Sequence, residues 1–150
     1  MRAHIDFPST RALDLFAGTG SITLELLSRG CPLVVSVEKD RQHFSFISAV
    51  LRKLDDPAAR PYCGDALRFV ARCREQFDLI FADPPYALPE LPELPDRVMQ
   101  SSALAPDGIF VLEHGAKHDF SARPDFLAHR AYGSVNFSFF RRLQVADEEE

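Results

Sequence analysis

The stretch Arg11-Ala12-Leu13-Asp14-Leu15-Phe16-Ala17-Gly18-Thr19-Gly20-Ser21-Ile22-Thr23-Leu24-Glu25-Leu26-Leu27-Ser28 decides the fold. Arg11 to Phe16 is a short apolar strand that runs into a glycine-bearing turn. Ser21 to Ser28 has helical periodicity, with Ile22, Leu26 and Leu27 on one face and Gly30 just past its end. A strand, a Gly-x-Gly loop and a helix in this order open a βαβ unit, in which free backbone N–H groups and the positive helix end favour an anion. Gly18 and Gly20 let the backbone turn tightly and approach a ligand. On its own the loop is also compatible with a plain strand-to-helix turn.

The alternation continues outward from this unit. Leu33 to Val37 is a valine-rich run suited to a strand buried on both faces. Arg41 to Leu54 carries Phe44, Ile47 and Leu51 at helical spacing and stops at Asp55-Asp56-Pro57. A weak strand spans Ala59 to Cys63, a helix Ala66 to Arg74, and a buried strand Phe77 to Ala82. Residues 87–95 hold Pro89, Pro92 and Pro95. They read as a loop beside the site, or as a proline motif for a partner. A helix over Asp96 to Ala103 and a strand over Gly108 to Glu113 follow. Phe126 to Tyr132 and Val135 to Leu143 form a hairpin about Gly133-Ser134, with glycine first in the turn. The fold class expected is α/β: a Rossmann-like, mostly parallel sheet closed at one edge by an antiparallel C-terminal hairpin.

Composition agrees with one domain. The chain has 150 residues, 46% hydrophobic and 26% charged, which suits a packed core. No apolar run is long enough to cross a bilayer and no signal-peptide pattern stands at the start, so a cytoplasmic protein without membrane attachment is expected. Three cysteines without a Cys-x-x-Cys pair argue for reduced thiols. His114 and His118 stand four apart, but a glycine and an expected loop lie between them, and no metal is expected. Residues 1–143 read as one domain and 144–150 as a solvated acidic tail. Four of the five net negative charges belong to Asp147, Glu148, Glu149 and Glu150. Arginine outnumbers lysine 14 to 3, and arginine suits phosphate and base-edge contacts.

Four signals fall at predicted strand ends, where open α/β sheets bind ligands. Asp14 can meet a ligand's ammonium group or order the loop. Glu38, 18 residues beyond Gly20, can accept two ribose hydroxyls. Asp65 can accept from an adenine amino group, or simply cap the next helix. The fourth signal is Asp83-Pro84-Pro85-Tyr86. An exocyclic base amine is a poor nucleophile because its lone pair is delocalised into the ring. The Asp83 carboxylate and Pro84 carbonyl can accept from its two N–H bonds and localise that pair, while the prolines stiffen the loop. Tyr86 offers a face for an unstacked base. Hydride transfer has no use for this tetrapeptide, and Thr23 replaces the third glycine of a dinucleotide fingerprint. A nicotinamide enzyme is therefore a minor alternative.

Asp14 to Gly20, Leu24-Glu25-Leu26-Leu27-Ser28-Arg29-Gly30, Val37-Glu38-Lys39-Asp40, Gly64-Asp65-Ala66, Phe77 to Tyr86 and Tyr132-Gly133 together resemble the RsmD family of bacterial 16S ribosomal RNA guanine-N2 methyltransferases. The resemblance implies a seven-stranded class I S-adenosylmethionine methyltransferase fold with its last strand antiparallel. It implies S-adenosyl-L-methionine held along Asp14, Phe16, Ala17, Gly18, Gly20, Glu38, Lys39, Asp65 and Ala66. It implies a target guanine amine at Asp83, Pro84, Pro85 and Tyr86, in ribosomal RNA or a small-subunit ribosomal particle. Such enzymes usually carry a basic arginine-rich hairpin and a covering helix ahead of the first strand. Here Met1 to Thr10 precede it, so most of that RNA-gripping surface is expected to be missing from the chain as written. The alternatives are a DNA adenine or cytosine amino-methyltransferase and a non-catalytic cofactor-binding partner module.

Overall fold

The computed structural model describes residues 5–143; the acidic tail expected at 144–150 lies outside them. The strands are β1 (Arg11–Leu15), β2 (Leu33–Glu38), β3 (Ala59–Cys63), β4 (Phe77–Ala82), β5 (Leu104–His114), β6 (Phe126–Tyr132) and β7 (Val135–Arg141). The helices are α1 (Ser21–Ser28), α2 (Arg41–Leu54), α3 (Ala66–Arg72) and α4 (Leu94–Gln100). Among the described residues the strands make one seven-stranded sheet, ordered β3-β2-β1-β4-β5-β7-β6. β1 to β5 run parallel, and β7 pairs antiparallel with both β5 and β6. This is the mostly parallel sheet with a C-terminal antiparallel hairpin that the periodicity implies. No helix among the described residues is long and apolar enough to cross a membrane.

Side chains alternate across the sheet and meet helices on both faces. Leu13, Val35, Ile80 and Phe110 pack with Val70 of α3 and Val98 of α4. Ala12, Val34, Leu79 and Val111 share the opposite layer with Leu26, Leu27, Ile47 and Leu51 of α1 and α2. α2 has the expected bounds because both ends are chemically marked. Asp40 accepts from the amides of Gln42 and His43, and Asp55 closes the helix in the left-handed region at φ 53°.

Four expectations need correction. Residues 87–95 are not a plain loop: Leu91–Glu93 forms a 3₁₀ turn, and α4 already begins at Leu94. Pro92 and Pro95 stand in the first turns of these helices, where a missing N–H costs nothing. Leu91 and Leu94 are fully buried and anchor the segment. β5 begins at Leu104, ahead of Gly108, because Leu104 pairs with Phe77 before a register shift. Pro106 and the left-handed Asp107 look like a turn locally, but the ladder resumes beyond them. α3 ends at Arg72 and β7 at Arg141, two residues short of each expected end.

Candidate active site

The loop after β1 is wound by three left-handed residues, Phe16 at φ 58°, Gly18 at 59° and Gly20 at 93°. Phenylalanine rarely adopts this conformation, and such strain concentrates at ligand sites. Backbone bonds hold the winding in place: Ala17 N–H donates to the Val37 carbonyl at 3.0 Å, and Gly20 N–H to the Ala17 carbonyl at 2.9 Å. Gly18 N–H donates to Glu38 Oε1 at 2.7 Å, and Asp40 N–H donates to Glu38 Oε2 at 2.9 Å. Glu38, only 9% exposed, thus ties the glycine loop to the end of β2. Each carboxylate oxygen retains a further lone pair.

Asp14 lies deeper than its position near a strand end suggests. It is 1% exposed and accepts from Thr23 Oγ1 at 2.7 Å. The Thr23 hydroxyl also meets Ser36 Oγ. Burial pushes the Asp14 carboxyl up to about 7; the Thr23 hydroxyl and amide oppose the rise, and the Asp83 and Glu38 charges add to it. Thr23, the residue standing where a dinucleotide fingerprint has glycine, is therefore a buried partner of Asp14.

A cleft of about 540 Å³ opens over the carboxyl ends of β1, β2, β3 and β4. Its size falls in the usual range for small-ligand sites. Of the residues singled out from sequence, Phe16, Gly18, Glu38, Lys39, Asp65 and Ala66 line it together with Asp83, Pro84, Pro85 and Tyr86. Asp14, Ala17 and Gly20 do not; they support the loop from behind. Gly20 is forced to be small, since a β-carbon there would stand 2.6 Å from Ile47 Cδ1. Asp65 caps α3 by accepting from Arg68 N–H at 2.9 Å, and it faces the cleft as well.

Val37, Asp40, His43, Gly64, Leu67 and Leu88 also line the cleft and are not among the site residues expected from sequence. Gly64 and Leu67 flank the Asp65-Ala66 pair, so that pair is the signal that could have found them. His43 follows from the helix cap at Asp40, which turns the first turn of α2 toward the cleft. Val37 and Leu67 add apolar wall, as a planar heterocycle requires.

At the far end of the cleft, Asp83 follows β4, with its amide donating to the Leu15 carbonyl at 3.4 Å. Partial burial raises its pKa. Tyr86 is 51% exposed. Its pKa is raised by partial desolvation, with the charges of Glu113 and Asp83 adding to the rise. The neighbouring strands β2, β1, β4 and β5 therefore carry a row of acids near their carboxyl ends: Glu38, Asp14, Asp83 and Glu113. Outside the cleft, both ring nitrogens of His114 are engaged, by the Gly115 carbonyl and by Ser138 Oγ, each at 2.7 Å.

The chain is similar in sequence and in fold to known proteins. A putative rRNA methyltransferase, YlbH, of Bacillus subtilis is 35% identical over 112 residues, covering 72% of this chain and 61% of that protein. The chain thus matches under two thirds of that relative's length. Ribosomal RNA small subunit methyltransferase D of Escherichia coli is 27% identical over 135 residues, 88% of this chain and 68% of that protein. Among solved structures, the Thermus thermophilus 16S rRNA N2 G1207 methyltransferase RsmC, in complex with AdoMet and guanosine, superposes with a TM-score of 0.73. That likeness covers 90% of this chain and 38% of the other at 20% identity, and it establishes a shared fold. The family model described as Conserved hypothetical protein 95 matches residues 2–141, and with these relatives it shows that the chain belongs to that RsmD-like family.

Proposed function

We propose that the chain is a cytoplasmic S-adenosylmethionine-dependent methyltransferase acting on the N2 amine of a guanine in 16S ribosomal RNA, with residues 1–143 as its catalytic domain. One observation carries this reading. A single cleft joins a loop-and-carboxylate cradle, Gly18, Glu38 and Asp65, to the Asp83-Pro84-Pro85-Tyr86 tetrapeptide. Relatives named as ribosomal RNA methyltransferases, one of the small subunit, supply the substrate class.

The residues present fit the cofactor. A β-carbon on Gly18 would have nothing within 4 Å, so the loop leaves an open cradle beside Glu38. The spare lone pairs of Glu38 suit two ribose hydroxyls, Asp65 suits an amino group, and Val37 and Leu67 suit an adenine ring. When bound, S-adenosylmethionine supplies a methyl group activated by its positively charged sulfur.

The chain's own residues do the rest. Tyr86 presents its exposed ring to a base drawn out of its stack. Asp83 and the Pro84 carbonyl accept from the amine's two N–H bonds and concentrate the nitrogen lone pair. Asp83 then takes the surplus proton from the methylated nitrogen. Its raised pKa suits that transfer.

The test is incubation with methyl-labelled S-adenosylmethionine and separate ribosomal RNA and DNA pools, followed by nucleoside analysis. Label is expected as N2-methylguanosine. Asp83→Ala should abolish transfer and leave cofactor affinity within a few fold. Glu38→Ala should weaken cofactor binding by about tenfold or more. Label confined to DNA would sink the substrate assignment. Loss of cofactor affinity alone in both variants would sink the division of roles.

A further inference from the structure

Glu113 is the last-but-one residue of β5. Ala82 pairs with Leu112 in the parallel ladder, so Asp83 and Glu113 leave adjacent strands at the same level. Side chains at matched positions of a parallel pair project to the same face. Glu113 is half-buried, yet no described hydrogen bond or ion pair engages its carboxylate. Burial and the nearby Asp83 charge both raise its pKa. Two residues on, Gly115 lies against Tyr86: a β-carbon there would stand 4.0 Å from Cδ2 of that ring. A base resting on Tyr86 with its amine at Asp83 therefore has a second acceptor beside it.

We infer that Glu113 selects the base, by accepting a hydrogen bond from the ring N1–H that neighbours the N2 amine of guanine. This rests on the reading that guanine is the target. The chemistry is discriminating. Guanine presents N1–H and an amine side by side, two donors for two carboxylates. Adenine and cytosine present a ring-nitrogen lone pair next to the amine, which an ionised Glu113 repels. A site built to bind an N–H rejects the analogue lacking it more strongly than apolar fit can, because the buried acceptor is left unpaired.

2-Aminopurine separates the two donors, since it keeps the 2-amine but carries a lone pair at N1. The experiment measures binding of short uridine strands that differ only in one central base, which is guanine, 2-aminopurine, adenine or cytosine. The full chain is saturated with S-adenosylhomocysteine at about pH 8, above the range in which a carboxyl normally holds its proton. Wild type should favour guanine over 2-aminopurine. Glu113→Gln, whose amide can donate to a bare N1, should reduce that ratio by about tenfold. Glu113→Ala, which removes the acceptor without adding a donor, should weaken guanine binding and leave 2-aminopurine within a few fold. The loss of O6 in 2-aminopurine is common to all three proteins and cancels in the comparison. An unchanged ratio in both variants, with guanine still preferred, overturns the role of Glu113 alone. Preference of wild type for adenine or cytosine overturns the guanine reading and this inference with it.

Discussion

Replacing Asp14 by asparagine should make the protein more stable at high pH, although it removes a hydrogen-bonded carboxylate from the core. In the folded chain the Asp14 pKa stands at about 7, against 3.8 for the free side chain, mainly because of burial. Between these values the folded state holds a proton that the unfolded state has lost. Stability therefore falls as pH rises through this window and levels off above about 7. Each pH unit of separation is worth about 1.4 kcal/mol, so the whole separation amounts to about 4 kcal/mol. Asparagine is neutral throughout, and its Oδ1 can still accept from the Thr23 hydroxyl. Urea denaturation of both proteins from about pH 4 to about pH 8 reads the effect directly. The stability of Asp14→Asn minus that of wild type should grow by about 4 kcal/mol across the range. A fixed offset from the altered amide is common to every pH, and titration of other groups largely cancels in the difference. Parallel stability curves, with a gap constant to within about 1 kcal/mol, would refute the argument that burial holds Asp14 protonated.

Gly20→Ala should cost about 2 kcal/mol in urea melts, because it combines φ +93° with a β-carbon 2.6 Å from Ile47 Cδ1. Made in an Ile47→Ala background, which removes both Cδ1 and the Cγ1 that would stand 2.7 Å away, the same change should cost only the backbone strain; no cost at all in that background would show that φ is not constrained. Arg142 donates to the carbonyls of Leu104, Met99, Val98 and Ser101, closing the end of α4. Arg142→Met should cost about 2 kcal/mol, roughly 6 °C in Tm, and Arg142→Lys should recover little, since an ammonium cannot span the four acceptors. S-adenosylmethionine, with its charged sulfur, should bind about tenfold tighter at low salt than S-adenosylhomocysteine, with the gap narrowing as salt is added. Equal affinity at every ionic strength, read by calorimetry, would count against an electrostatic role for the acids at the strand ends.

Much of the fold is legible because local chemistry and periodicity agree. α2 has apolar spacing, an aspartate cap and a left-handed stop within its own residues. β4 is an apolar run interrupted only by the exposed Asp78, and an aspartate and two prolines follow it. The failures have one cause, a tertiary contact overriding a local signal. Pro92 and Pro95 look like helix breakers, but burial of Leu91 and Leu94 carries them into first turns. Pro106 and Asp107 look like a turn, but Phe77 supplies a partner for Leu104 on the near side of it. Thr23 reads as a missing glycine, and its pairing with Asp14 depends on how α1 packs over β1.

The site divides along the same line. The glycine loop and the Asp83 tetrapeptide are local motifs, each compact in sequence and attached to a strand end. Glu113 carries no such motif; beside His114 and Gly115 it reads as an ordinary end to a strand. Its neighbour is Asp83 only because β5 lies against β4, while β4 lies against β1 rather than β3. The same strand order makes Glu38, Asp14, Asp83 and Glu113 a row, although 75 positions separate Glu38 from Glu113 in the sequence. Asp14 receives upward pressure from Asp83 and Glu38, and Glu113 from Asp83, so the acids destabilise one another as charges. A fold under selection for stability alone would replace them with neutral groups, as Asp14→Asn does. Their mutual repulsion falls when a cation enters the cleft, so the free energy withheld from folding becomes available for binding. Burial accounts for most of the stabilisation expected of Asp14→Asn, and only the smaller share due to Asp83 and Glu38 is also a share of the attraction for a cation, so any loss of cofactor affinity in that variant should be smaller than its gain in stability.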